Sequence, residues 1–98
     1  MKVSFGHIGS SLGTRVIGRK IREDVSSTLT RGEFVCFDFG GVETISHSFA
    51  DECFGKLLLD FDIDFLRKHS TFINTNKIIS TAISFTLKER ANQLLVSA

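Results

Sequence analysis

The chain has 98 residues, of which 42% are hydrophobic and 23% charged, so we expect a single domain, residues 1–98, built around one core. Its net charge of +1 lacks the long-range positive field that attracts phosphate, which disfavours a general nucleic-acid role. The apolar runs fall far short of the roughly 20 residues of a membrane-spanning helix. No secretory pattern is visible and the two cysteines are widely separated, so we expect a reducing, cytoplasmic location.

The first predicted elements are a short strand and an amphipathic helix. Lys2–Phe5 alternates polar and apolar residues, which predicts a strand. The turn-rich segment Gly9–Ser11 ends in a hydroxyl suited to capping a helix. Gly18 lies inside the predicted helix, which indicates either close approach to a neighbouring backbone or a tolerated weakness. The predicted buried stripe of this helix is Leu12, Val16, Ile17, Ile21, Val25 and Leu29.

A central strand and a second helix are predicted next. Phe34–Phe39 is a nearly continuous apolar run of strand length, and Gly40–Gly41 ends it. We expect Ser48 to cap the second helix, with Asp51 three residues later as in a capping box. Asp51 and Glu52 are then expected in the first helical turn, where the helix dipole favours negative charge. The predicted buried stripe is Phe49, Cys53, Phe54, Leu57 and Leu58.

The remaining chain completes an alternation of strands and helices. Asp60–His69 admits either a turn with a short helix or an edge strand. Ser70–Ile73 predicts a third strand, and Asn74–Asn76 contains good helix caps. A last helix runs toward Leu94, with Ile78, Ile79, Ala82 and Ile83 on its buried side and Lys88, Glu89 and Arg90 as a solvated patch. The predicted class is α/β: a mostly parallel sheet of three to four strands covered by about three helices.

One segment resembles a known family. The run from Cys36 to Glu52, CFDFGGVETISHSFADE, resembles the signature of the STAS-like domain family of unknown function, which is related to the STAS anti-anti-sigma factors. Leu12–Arg15 and Phe72–Asn76 also resemble that family. The resemblance implies a STAS-like fold and a non-enzymatic, bacterial-type signalling module that regulates a partner protein. The implied partner is a histidine-kinase-like ATPase or an anti-sigma-type kinase.

The resemblance also implies where the partner binds. In the anti-anti-sigma branch, a loop after the Asp-bearing strand presents a serine at the start of the next helix, and the partner kinase phosphorylates it. Asp38 and Val42 match this pattern, while the phosphoacceptor position falls on His47. We therefore take Ser46, His47 and Ser48 as residues for partner binding or phosphorylation. Further contacts or loop supports in residues 42–52 and the preceding strand are Asp38, Glu43, Asp51 and Glu52.

Physical chemistry favours docking without phosphorylation. A phosphate carries nearly two negative charges, so it would be repelled by Asp51 and Glu52 if both share the start of the helix. His47 and Cys53 have the residue types of a base and a nucleophile, but Cys53 lies on the apolar stripe and is expected to be a buried hydrophobe. We expect no enzyme. No metal-ligand spacing is present, and no cofactor is predicted.

Two other functions stay open. Arg15 and Arg19 belong to a basic stretch with Lys20 and Arg22, which is either a solvated face or a contact for nucleotide phosphates, nucleic acid or an acidic partner. The second alternative is a small effector or defence component that blocks another protein. A homodimer also stays open.

Overall fold

A parallel three-stranded sheet forms the centre of the structure, a computed structural model that describes residues 1–97. The strands are β1 (Lys2–Ser4), β2 (Ser11–Leu12), β3 (Val35–Asp38), β4 (Thr44–Ile45) and β5 (Ser70–Ile73). The main sheet has the order β1-β3-β5, and β2 pairs with β4 in a separate two-stranded parallel sheet. The predicted central strand and the bounds of the third predicted strand are confirmed.

The helices pack against one face of this sheet. They are α1 (Arg15–Thr30), α2 (His47–Cys53), α3 (Ile63–His69) and α4 (Lys77–Ser97), with short 3-10 helices at Phe5–His7 and Gly55–Leu59. The sheet order advances steadily from β1 to β5, so right-handed crossovers place the connecting helices on the same face. α4 packs on α2 and on the 3-10 helix at Gly55–Leu59. The predicted α/β class is confirmed.

The core between sheet and helices consists largely of phenylalanine. Side chains on a strand alternate between faces, so Phe37 points to the helices while Cys36 and Asp38 lie on the opposite face. Phe5 stacks on Phe39 with ring centroids 4.5 Å apart. Phe37 meets Phe54 edge to face at 5.1 Å. The phenylalanines buried completely or nearly so are Phe5, Phe37, Phe39, Phe49 and Phe54. These rings fix the position of α2 over the sheet.

The start of α1 differs from the prediction. Ser11 and Leu12 form β2, paired with β4, so Ser11 is not a helix cap. The cap is Thr14, whose side chain accepts a hydrogen bond from the Ile17 N–H at 3.4 Å. Val16, predicted on the buried stripe, is exposed. Strands of two residues are too short to produce an alternating pattern, so the sequence did not separate β2 from the helix.

The backbones of α1 and α2 approach each other closely at Gly18. A Cβ atom at Gly18 would lie 3.2 Å from both the Glu52 Cβ and the Phe49 carbonyl oxygen. Of the two explanations for this glycine, close backbone approach is therefore confirmed.

The structure shows the conformation of the segment that precedes β5 and corrects the predicted buried side of α4. The segment Asp60–His69 contains α3, which Asp62 caps by accepting a hydrogen bond from the Phe65 N–H at 2.7 Å. In α4, Ile79 and Ile83 are buried as predicted, but Ile78 is 60% exposed. No helix within residues 1–97 is both long and apolar enough to cross a membrane.

Candidate functional site

Asp38, at the carboxyl end of β3, contacts the segment that follows β5 and the first residue of β1. Its carboxylate accepts hydrogen bonds from the Gly40 N–H and the Asn74 side-chain amide, both at 2.9 Å, and lies 3.3 Å from the Lys2 ammonium. The bond from Asn74, followed by that from Gly40 and by Lys2, lowers the pKa of Asp38 below its ordinary value. Asp38 thus supports the loop that leads to α2.

Hydrogen bonds hold the backbone of the loop between β3 and α2 in place. The Glu43 N–H donates to the Ser10 carbonyl at 2.8 Å, and the Glu43 carbonyl accepts from the Asn76 side chain at 2.9 Å. Val42 is buried, whereas the Glu43 side chain is exposed and forms no ion pair within the described chain. The loop therefore presents Glu43 on a fixed backbone.

Ser46, not Ser48, caps α2. The Ser46 hydroxyl accepts a hydrogen bond from the Phe49 N–H at 3.0 Å and donates one to the Gly13 carbonyl at 2.9 Å. The predicted cap was therefore wrong by two residues, because the helix already begins at His47. Ser48 is half-buried inside the first turn, and its hydroxyl has no hydrogen bond to any of residues 1–97. The Ser46 hydroxyl is thus engaged in two hydrogen bonds within residues 1–97, whereas the Ser48 hydroxyl is engaged in none.

His47 lies against α4. Its side chain is half exposed, with Nε2 3.4 Å from a Glu89 carboxylate oxygen and the ring 5.6 Å from the ring of Phe85. Phe85 is 55% exposed and Ile78 60% exposed, although both are large and apolar. A shallow depression of about 590 Å³ lies between them and is lined by His47, Lys77, Ile78, Thr81, Ala82 and Phe85. We call this depression, together with Ser48, the α2–α4 surface.

Asp51 and Glu52 belong to a separate, buried cluster. They lie in the second half of α2, not in its first turn, and are only 8% and 4% exposed. Two oxygens of Asp51 lie 2.7 and 2.8 Å from an Arg90 nitrogen, and one lies 3.1 Å from Arg15. Glu52 pairs with Arg22 at 2.8 Å, Lys56 at 3.0 Å and Arg15 at 3.3 Å. We call these six side chains the ion-pair cluster.

The ion-pair cluster keeps both carboxylates charged. Burial raises the pKa of Asp51, but the hydrogen bonds and charges of Arg90 and Arg15 outweigh it, so the pKa lies below its ordinary value. For Glu52, burial is likewise outweighed by Lys56, Arg22 and Arg15, so its pKa is also lowered. The cluster joins α2 to α1 and α4.

The ion-pair cluster surrounds the two carboxylates of α2 with more positive charge than the sequence predicted. Two carboxylates face four cationic side chains, so the predicted repulsion of a phosphate at the helix start loses its basis. Arg90, predicted to be solvated, is a cluster member with a side chain only 21% exposed. No sequence pattern indicates this pairing, because Arg90 and Asp51 are 39 residues apart in the chain.

The ion-pair cluster includes two arginines from the basic stretch of α1. Arg15 and Arg22 are engaged by the two carboxylates, and Arg19 forms an exposed pair with Glu23 at 3.7 Å. The three arginines of the stretch are thus all engaged by carboxylates of the same chain, which weighs against nucleotide or nucleic-acid binding on this face.

Cys53 is placed unfavourably for nucleophilic chemistry. Cys53 is 1% exposed, and burial raises the pKa of its thiol far above the ordinary value. A nucleophilic thiolate is therefore not formed there. Within residues 1–97, no three side chains of His, Cys, Asp or Glu are placed to hold a metal ion.

The α4 part of the surface was missed by sequence reasoning. Ile78 was assigned to the core because it adjoins Ile79 in an apolar run. α4 carries apolar residues around much of its circumference, so periodicity alone does not say which of them are covered. Only the packing of α2 against α4 shows that Phe85 and Ile78 lie outside the core.

The fold and the loop between β3 and α2 define a STAS-like domain. A family model described as a STAS-like domain of unknown function (DUF4325) matches residues 18–79, more than half of the chain. The chain therefore belongs to this family. Comparisons with curated proteins and with solved structures find no significant match.

Proposed function

We propose that this chain is a non-enzymatic regulatory module that binds a partner protein through the α2–α4 surface and the exposed side chains of residues 42–47. The observation that carries the proposal is the position of two exposed apolar side chains, Ile78 and Phe85, directly beside His47. Scattered exposed apolar residues are common, but neighbouring ones around a depression are typical of interaction sites. The STAS-like family supports a regulatory role.

The partner we propose is a histidine-kinase-like ATPase, as the resemblance to anti-anti-sigma factors implies. The rigid loop supports this choice, because Asp38, Ser46 and the Glu43 backbone hold the helix start in place before binding. A preformed surface loses little conformational entropy when it binds. Exposed Glu43, His47 and Glu89 give it polar groups at the rim.

Phosphorylation is compatible with this proposal at one serine. Ser46 would lose two hydrogen bonds if its oxygen carried a phosphate, whereas Ser48 would lose none. We therefore assign a regulatory phosphate, if the partner is a kinase, to Ser48. Mass spectrometry after incubation with the partner and ATP tests this: modification of Ser46 instead of Ser48 would contradict the assignment.

The docking proposal is tested by titration calorimetry with a purified histidine-kinase-like ATPase from the same cell. Binding can bury at most the exposed half of Phe85, which contributes about 1 kcal/mol, so Phe85→Ala should weaken binding by roughly 5-fold. Phe34→Ala is the matched control, since Phe34 is 49% exposed and precedes β3 at the opposite end of the sheet.

The joint replacement of Ser46, His47 and Ser48 by alanine should also weaken binding, provided that circular dichroism shows a folded chain. Equal affinities of wild type, Phe85→Ala and the triple variant would overturn the proposal. A loss of affinity with Phe34→Ala alone would place the interface elsewhere.

A further inference from the structure

A second surface, separate from the α2–α4 surface, lies at the free edge of the main sheet. β5 is an edge strand in the order β1-β3-β5, and no strand within residues 1–97 pairs with its outer side. Beside it is a groove of about 640 Å³ between β5, α3 and α4. We define the β5 groove by its main apolar lining residues: Phe54, Leu57, Leu66, Phe72, Leu87 and Ala91.

The backbone of β5 is oriented to accept another strand. The Ile73 carbonyl accepts a hydrogen bond from the Phe39 N–H at 3.0 Å, so Ile73 faces β3. Both backbone groups of one strand residue point to the same side, and the side alternates along the strand. The N–H and the carbonyl of Phe72 therefore face the free edge. A segment that adds to this edge would satisfy both.

The side chains beside β5 are also arranged to accept an added strand. The Phe72 ring lies on the helix side of the sheet, 4.9 Å from the ring of Phe37. In a parallel or antiparallel pair, laterally adjacent side chains point to the same face. A strand residue beside Phe72 would therefore place its side chain in the β5 groove, next to Leu66 and Leu87.

The charge at the groove identifies the chemistry of the occupant. The charged residues that line it, among those the structure describes, are Arg67 and Lys88, and both are basic. Lys88 is exposed and has no ion pair within the described part of the chain. Arg67 pairs with Asp64 at 3.6 Å, and both side chains are more than 70% exposed. A second copy of this chain would bring the same positive charges to the edge, which disfavours a β5-to-β5 dimer.

We propose that the β5 groove binds an extended acidic segment of a partner polypeptide by adding it as a strand to β5. One apolar side chain of that segment fills the groove, and flanking Asp or Glu residues face Arg67 and Lys88. Main-chain hydrogen bonds supply affinity in this mode, and alternate side chains supply specificity.

Selection from a displayed library of random short peptides tests this interface without knowledge of the natural partner. Peptides enriched on the wild-type chain should carry an apolar residue flanked by Asp or Glu. The double variant Arg67→Glu, Lys88→Glu should bind these peptides about 10-fold more weakly, since each exposed charge pair contributes up to about 1 kcal/mol. Enrichment of peptides without acidic residues would overturn the proposal.

Two further measurements separate a strand from other occupants. Ser84→Trp places a large side chain at the exposed rim of the groove and should abolish peptide binding, while Phe34→Trp serves as the control. In NMR spectra of the wild type, the selected peptide should shift the Phe72 amide signal, and N-methylation of the peptide backbone should remove the effect. Retained binding after N-methylation would overturn strand addition.

Two other occupants of the β5 groove, a fatty acid and a second copy of this chain, would give different experimental results. Laurate combines an acid with an apolar chain but has no peptide N–H groups, so binding of laurate in the groove without enrichment of any peptide would contradict the proposal. A concentration-dependent dimer that Ser84→Trp dissociates would also contradict it. Neither outcome depends on the α2–α4 surface, so this inference and the proposed function fail or succeed separately.

Discussion

Replacement of Asp51 by asparagine is the most informative perturbation of the ion-pair cluster. Asn has nearly the same shape as Asp but no charge, so the change removes the ion pairs without opening a cavity. Breaking one side of a buried ion pair costs about 3 to 5 kcal/mol. Arg15 is 48% exposed and regains water readily, whereas Arg90 is only 21% exposed. We therefore expect a loss of about 2 kcal/mol, below the fully buried value.

This loss is large for a chain of this size. A domain of 98 residues has a free energy of unfolding of about 5 to 15 kcal/mol, so Asp51→Asn should lower the melting temperature by roughly 10 °C. The chain contains no Trp or Tyr, so urea unfolding followed by far-UV circular dichroism is the suitable assay. Arg19→Gln is the control, because the Arg19–Glu23 pair is exposed and should contribute at most about 0.5 kcal/mol.

A double-mutant cycle with Arg90→Gln isolates the pair itself. The coupling energy between Asp51 and Arg90 should be about 1 kcal/mol or more, since the two side chains are in direct contact. If Asp51→Asn is as stable as Arg19→Gln and the coupling energy is zero, the cluster does not hold α4 against α2.

Three further predictions concern α1, α2 and pH. Ser46→Ala should lower the free energy of unfolding by about 1 to 2 kcal/mol in urea titrations, and Ser48→Ala by less than about 0.5, because only Ser46 caps α2; the reverse order would refute the cap. Gly18→Ala should be destabilising by about 1 kcal/mol, because about 2 kcal/mol of overpacking against α2 outweighs the roughly 1 kcal/mol that Ala gains in helix propensity. Gly13→Ala meets no atom within 4 Å and should be tolerated; equal melting temperatures would contradict the overpacking at Gly18. The pKa values of Asp51 and Glu52 are lower in the folded state than their unfolded values of about 4, so the ionised carboxylates stabilise the fold above that pH. The urea midpoint should therefore be flat above about pH 5 and fall in acid as these groups protonate. A rise of the midpoint in acid would contradict the lowered pKa values.

The main elements of the fold could be predicted from local patterns. The strand Ser70–Ile73, the central strand and the helical character of α1, α2 and α4 follow from apolar periodicity and turn residues. The short strands β2 and β4 could not be predicted, because pairing between Leu12 and Ile45 is a tertiary feature.

The site was predicted only in part, for a similar reason. The sequence placed Ser46–Ser48 at the start of α2 but did not identify which serine caps it, since both have the required hydroxyl. Asp51 was interpreted from its distance to Ser48 along the chain, whereas its environment is set by Arg90 from α4. Which face of α4 stays exposed is decided by how α2 packs against it.

Hydrogen–deuterium exchange on the chain bound to the proposed partner, a histidine-kinase-like ATPase, tests whether the α2–α4 surface is the docking surface. Binding through the α2–α4 surface should slow amide exchange in residues 44–49 and 78–85 and leave the residues around Phe34 unchanged. Slowed exchange confined to residues outside these two segments, with 44–49 and 78–85 unaffected, would contradict the proposed docking surface.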